Sequence, residues 1–277
     1  MGGVTTATDI SGSLDAKNIV LGVLTKQIEM SNLSQLCSQV QVPELTANIP
    51  IQTVPAGDVD LTEWETSNVN GADFSYVSFS LKKDRVKLGV SDEARYKSKA
   101  GDPLALQKQA AAQRLAYNLD SKVVTALQTT PQTGAVIGVW NSGHPIADIG
   151  TAVAAMRPFK ADFAIMTPAV WAIYCGNADI TGSAMPAPSD KENALARIPG
   201  FGIDVYVSSL LTAKTVIVGA SQCPAACYGI GPVKVRQFDS ENGGEIYQMD
   251  FWRQVVAPIL KNPTYNMGCY VLTGVIT

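Results

Sequence analysis

A long helical stretch near the centre of the sequence sets the first limit on the fold. Asp102-Pro103 opens it. Asp accepts from orphan N–H groups at a helix start, and Pro suits the first turn. From Leu104 to about Gln128 the chain is rich in Ala, Leu and Gln, and Ala111, Leu115, Leu119, Val123 and Leu127 recur four apart. That spacing lays them along one stripe. The helix would run roughly 38 Å, long enough to serve as a spine for whatever packs beside it.

The segments before this helix are of a different kind. Residues 1–13 are small and polar and read as an N-terminal arm. From Leu14 to about Ser38, apolar residues recur mostly at spacings of three to five, which predicts an amphipathic helix broken near Ser31-Asn32. Residues 40–90 read as extended, because Pro43, Pro50 and Pro55 exclude a continuous helix. Ile49 to Val54 is one strand candidate. Phe74 to Val90 is another, with Val77, Phe79 and Leu81 alternating with Ser78, Ser80 and Lys82. A polar link, Gly57 to Gly71, lies between them. Two strands with a polar tip make a projecting hairpin. Such a hairpin is marginal by itself, and it makes physical sense if it lies on another subunit.

After Thr129, short helices and strands alternate. A helix is expected from Pro145 to about Met156, a buried strand at Phe163–Met166, and a helix from Thr167-Pro168 to Tyr174. A polar loop follows at 177–192. Strands are expected at Ile203–Val207, Thr215–Val218, Ala226–Gly229, Val233–Phe238, Gln248–Ile259 and Cys269–Ile276, with Gly243-Gly244 as a hairpin turn. The fold class is α+β.

Composition narrows the function. Hydrophobic residues make up 46% of the 277 and charged residues 16%. That is too apolar and too weakly charged for disorder, and it suits a chain much of whose surface becomes covered. The net charge is −3, from 21 Lys plus Arg against 24 Asp plus Glu. Tight, sequence-specific grip on nucleic acid needs a cationic footprint. The densest basic stretch, Lys82 to Lys87, is short, is interrupted by Asp84, and reads as a solvated strand face. No apolar run approaches the roughly 18 residues of a membrane span. Met1 to Thr6 carry no signal-peptide pattern. Five scattered Cys do not form a secreted disulfide framework.

No catalytic set emerges. The single His, His144, precedes Pro145 in a polar turn and reads as a loop residue. Cys223 and Cys227 read as buried thiols, against a disulfide or half of a metal site, which would need further ligands. Gly229-Ile230-Gly231 lacks the third glycine of a dinucleotide fingerprint, since Lys234 stands there. Asp58, Asp60, Glu63 and Glu65 cluster at the hairpin tip. They could hold calcium weakly or act as paired acids, but contact with Lys or Arg of a neighbour is the favoured reading. Neither an enzyme nor a cofactor or metal site is expected.

The order of these elements resembles the major capsid proteins of tailed bacteriophages and related archaeal viruses, the Hong Kong 97-type fold, from about Pro43 to the end. The hairpin looks like that family's extended loop. Leu88-Gly89-Val90-Ser91-Asp92-Glu93 resembles the lead into its spine helix, and residues 103–128 the helix itself. Ala161-Asp162-Phe163-Ala164-Ile165-Met166-Thr167-Pro168-Ala169-Val170-Trp171 matches its axial strand–Pro–helix segment. Ile198-Pro199-Gly200-Phe201-Gly202-Ile203-Asp204-Val205 resembles the following turn and strand.

The resemblance implies an arm at 1–40, the extended loop and start of the peripheral domain at 41–90, the rest of that domain with its helix at 91–130, an axial domain at 131–260, and a last strand at 261–277 returning to the peripheral domain. It implies a subunit that forms pentamers and hexamers of an icosahedral shell around double-stranded DNA, in the virion and, during assembly, in the host cytoplasm. An encapsulin-type compartment enclosing a cargo enzyme shares the fold and is the alternative. Implied partners are other copies of the chain; scaffolding, portal and decoration proteins; and DNA held without specificity. A membrane is not among them. With about 40 residues before the hairpin, any scaffold is expected to be separate or already cleaved. Inter-subunit contact is expected at Asp58, Asp60, Glu63, Trp64 and Glu65, and an axis-lining loop at Asp179, Ser183, Asp190 and Lys191. Some members crosslink a hairpin Lys to a distant Asn. No Lys lies between Lys26 and Lys82, so contacts here are expected to be non-covalent.

Overall fold

The computed structural model describes residues 32–42, 44–52, 74–91, 93, 103–129, 131–136, 138–157, 159–183, 185–191, 193–221, 226–239, 244–256 and 266–276. The arm, the hairpin tip with Asp58, Asp60, Glu63, Trp64 and Glu65, and Cys223 lie outside them.

The central helix α1 spans Pro103–Leu127. Its Ala111, Ala112 and Leu115 pack on Leu88, Tyr247, Met249 and Phe251, while Leu119, Val123, Val124 and Leu127 enter a second core with Phe163, Ile165, Ile217 and Val271. One helix therefore belongs to two cores. Its length makes this possible, since the two stripes lie along successive turns of a single rod.

The first core is closed by a four-stranded sheet. Its order is β1 (Ser38–Gln41), β10 (Cys227–Asp239), β11 (Glu245–Val256), β4 (Lys82–Val90). The second lies on a six-stranded sheet of order β5 (Pro131–Ala135), β12 (Asn266–Thr273), β9 (Thr215–Gly219), β6 (Phe163–Met166), β8 (Ile203–Val207), β7 (Ala196–Ile198). Strand β6 shows why this sheet reads as a continuous apolar run. Phe163 and Ile165 face the α1 side, while Ala164 and Met166 face a core built by Trp140, Ile149, Val170, Tyr174 and Ile180. Both faces are covered, so period-two polarity disappears. The covering helices are α2 (Pro145–Ala155), α3 (Pro168–Gly176) and α4 (Ala178–Ser183). Thr167 starts α3 as expected, its hydroxyl accepting from the Val170 N–H.

The hairpin is a separate two-stranded sheet. Strand β2 (Thr46–Gln52) pairs antiparallel with β3 (Phe74–Ser80), from Thr46 opposite Ser80 to Gln52 opposite Phe74. No third described strand joins it.

Several expectations are corrected. The segment before residue 40 does not stay helical to Ser38: a 3-10 turn at Ser34–Leu36 gives way to β1, which pairs parallel with β10. The 74–90 strand is two strands broken at Leu81, because β3 pairs in the hairpin and β4 in the four-stranded sheet. The 226–229 and 233–238 strands are one, with a bulge between Ile230 and Val233. The loop at 177–192 contains α4. The last strand pairs with β9 and β5 and shares a core with α1 through Cys269 and Val271, while β10 and β11 join β4 beneath the same helix. Apolar strands of this kind carry no local mark of which sheet they complete, since pairing is a long-range choice.

Candidate functional site

The described residues present three surfaces and a single histidine. His144 precedes α2, its Nδ1 2.6 Å from Asp179 Oδ2 on α4, and both groups are substantially exposed. An open cleft between α1 and β11 is lined by Ser121, Lys122, Thr125 and Gln254 and holds no His, Cys or carboxylate. Among the described residues, no group of three or more His, Cys, Asp or Glu is placed to hold a metal. Cys227 is a free thiol at the start of β10, so it forms no disulfide. Gly229-Ile230-Gly231 lies within β10 and not before a helix. A Cβ at Gly231 would come within 2.4 Å of Leu81 Cδ1 and 2.9 Å of the Trp252 carbonyl, so the glycine lets the chain cross from β3 to β4 against β10.

The first surface is the hairpin. Tyr76 is 65% exposed and Leu45, at its base, 51%. A two-stranded sheet that leaves such side chains in water is poorly stabilised by its own contacts.

The second surface is the four-stranded sheet. Its inner face packs on α1 through Val86, Leu88, Val235, Tyr247, Met249 and Phe251. That packing is fastened by a polar lock. Arg253, 3% exposed, donates to Asp84 Oδ2 at 2.6 Å and to the Leu115 carbonyl of α1 at 3.0 Å, and Lys122 of α1 reaches the same Asp84 oxygen at 2.8 Å. Burial opposes the charge on Asp84, yet hydrogen bonds from Lys122 and Arg253 hold its carboxyl below the usual range. The outer face carries Lys83, Arg85, Lys87, Lys234 and Arg236 around a single buried carboxylate, Asp250.

The third surface is the loop expected at an axis. Asp190 is exposed, and Asp179 is drawn to Asn177, whose side chain accepts from the Asp179 N–H and donates to the Trp140 and Gly143 carbonyls. Ser183 ends α4. Lys191, itself exposed, reaches back to two acids at the six-stranded sheet. Its Nζ lies 3.3 Å from Asp204 and 3.8 Å from Asp162, while Ser189 donates to Asp204 at 2.7 Å. Asp204, 2% exposed, is thus the post to which the loop is tied. Asp84, Asp120, Asn177, Asp204, Asp250 and Arg253 carry no mark of these roles in the sequence. Acids and amides within regular elements look solvated until their distant partners are known.

The sequence matches the family described as phage capsid protein over residues 77–265. The chain belongs to this family. Its fold is the Hong Kong 97 type. It superposes on the virus-like particle from Pyrococcus furiosus with a TM-score of 0.63 at 12% identity, covering 92% of this chain and 98% of that one. The capsid of a native GTA particle gives 0.67 at 13%, covering 87% and 89%. The holo-SrpI encapsulin complex from Synechococcus elongatus gives 0.64 at 11%, covering 87% and 86%. No curated protein matches the sequence. This phage capsid protein is a structural component of the virion shell.

Proposed function

We propose that this major capsid protein assembles into pentamers and hexamers of an icosahedral shell that encloses viral double-stranded DNA. The observation that carries the reading is the two-stranded β2–β3 hairpin, with Tyr76 and Leu45 exposed and no further strand beside it among the described residues. An extended element of this kind gains its burial from another subunit. The hairpin, with Asp58, Asp60, Glu63, Trp64 and Glu65 at its tip, reaches over the adjacent copy, and the segment at 1–40 reaches beneath another. Many modest interfaces then act together, so the shell holds although each contact is weak.

The unit of α1 and the four-stranded sheet frames the outer part of the subunit, and the six-stranded sheet with α2 to α4 gathers at the symmetry axes. Asp179, Ser183, Asp190 and Lys191 belong to the segment facing those axes, with Lys191 tying the loop to Asp204. Scaffolding, portal and decoration proteins are further partners, DNA is lined without specific recognition, and assembly takes place in the host cytoplasm. The encapsulin-type reading shares the fold; nucleic acid inside purified particles favours the capsid, and a captured enzyme the compartment.

Deletion of residues 58–71 tests the role of the hairpin. The expected product is a folded subunit that no longer closes shells in electron micrographs. Normal shells from this deletion would remove the hairpin from the account.

A further inference from the structure

The outer face of the four-stranded sheet has no described helix packed on it. Residues two apart on a strand share a face. Opposite the residues that pack on α1 therefore stand Lys83, Arg85 and Lys87 on β4, and Lys234 and Arg236 on β10. Between them β11 contributes Asp250, which lies opposite both Arg85 and Lys234 in the strand registers. Asp250 engages Arg85 at 2.7 Å and Lys83 at 3.2 Å. Lys87, Lys234 and Arg236 have no carboxylate partner among the described residues. Lys234 instead lies over the Trp252 ring, 5.5 Å from its centroid. In a chain of net charge −3, this is a concentrated cationic patch.

The complementary charge is in the same sequence. Residues 53–73 contain Asp58, Asp60, Glu63, Glu65 and Asp73 and no Lys, Arg or His. The acids come in pairs two apart, as the cations do on β4 and β10. Laid out extended, each such pair repeats at about 7 Å on one side of the chain, which is the repeat of the cations along a strand. We propose that this sheet face is the receptor for the acidic 53–73 link of a neighbouring copy. The inference rests on the shell reading above. The attraction steers the encounter and sets its register, which is the usual work of interface charge. A buried carboxylate at the centre of the patch makes the face less suited to duplex phosphates.

The test is a charge swap in the full-length chain. K87E/K234E/R236E reverses the three cations that have no carboxylate partner among the described residues, and D58K/D60K/E63K/E65K reverses the tip. Each set alone should melt like the parent by circular dichroism yet lower the yield of sedimenting shells at least tenfold. The two sets combined should restore most of that yield. Should the sheet-face set unfold the chain, the neutral set K87Q/K234Q/R236Q replaces it, and should the tip set do so, D58N/D60N/E63Q/E65Q replaces that; either is expected to lower shell yield and flatten its salt dependence. Folded variants whose combination assembles no better than either parent set would overturn the proposal. So would a face-reversed variant that forms normal shells but retains less nucleic acid, which would assign the patch to DNA. If the parent chain forms no shells, the shell reading fails, and a labelled peptide of residues 53–73 decides the docking separately by fluorescence anisotropy. Binding that weakens at least tenfold in K87E/K234E/R236E supports the proposal, and no binding overturns it.

Discussion

Asp120, on the buried side of α1, accepts the backbone N–H of Leu33 through one carboxylate oxygen and that of Asn32 through the other, each at 3.2 Å. The residue leading out of the N-terminal segment is thereby pinned to the spine helix. Leu33 and Leu36 then enter the core beside Leu119 and Val123. Asp120→Ala leaves the buried Leu33 N–H without its acceptor and should destabilise by about 1–3 kcal/mol. Limited proteolysis should show faster cleavage before residue 40. Unchanged melting and cleavage would mean that the apolar contacts suffice.

Arg253 joins β11 to α1 from inside the protein. Removing one member of a buried charged set leaves the others uncompensated. Arg253→Met should therefore cost about 3 kcal/mol, seen as a lower urea midpoint. By contrast, Lys83→Ala on the outer face should cost under about 1 kcal/mol. Comparable losses from both would contradict the distinction between the two faces.

Acid should act first through the same sheet. Hydrogen bonding from Arg85, with Lys83 beside it, holds the Asp250 carboxyl down to about 2 against the opposing effect of burial. A depressed carboxyl stabilises the fold fully above its unfolded value and loses that contribution as pH falls through the folded one. Melting temperature should accordingly drop between about pH 4 and pH 2. Asp250→Asn should be less stable at neutral pH, with a shallower decline across that window. An unaltered decline would place the acid sensitivity elsewhere.

Cys37 and Cys269 should be inert in the folded chain. Burial raises Cys37 to about 12, with Cys227 and Asp120 adding to the shift, and burial alone raises Cys269 to about 12. The thiolate is the reactive form. At pH 8, alkylation mapped by mass spectrometry should leave Cys37 and Cys269 unmodified until denaturant is added. Rapid labelling of either in the native protein would contradict its placement.

Much of the fold was legible where one element's own residues decide it. Helix α1 shows a four-residue apolar repeat over 25 residues, β6 is uniformly apolar, and Thr167-Pro168 announces α3. What stayed hidden depends on distant partners. β1 reads as the end of a helix because Leu33 and Leu36 keep helical spacing, yet its pairing is with β10. α4 reads as loop because Asp, Thr, Gly and Ser are poor helix formers; Asn177 and the burial of Ile180 hold it in place. The basic face was read only as a solvated strand. That β10 adds Lys234 and Arg236 to it follows from strand register, which no local pattern encodes.

The central claim is that this chain does its work as one copy among many. Electron microscopy of the purified full-length protein tests it most directly. The account predicts closed particles of uniform diameter, with the β2–β3 hairpin covered by an adjacent subunit in the reconstruction. A population of lone subunits that never closes into particles, or shells in which that hairpin lies uncovered, would contradict it.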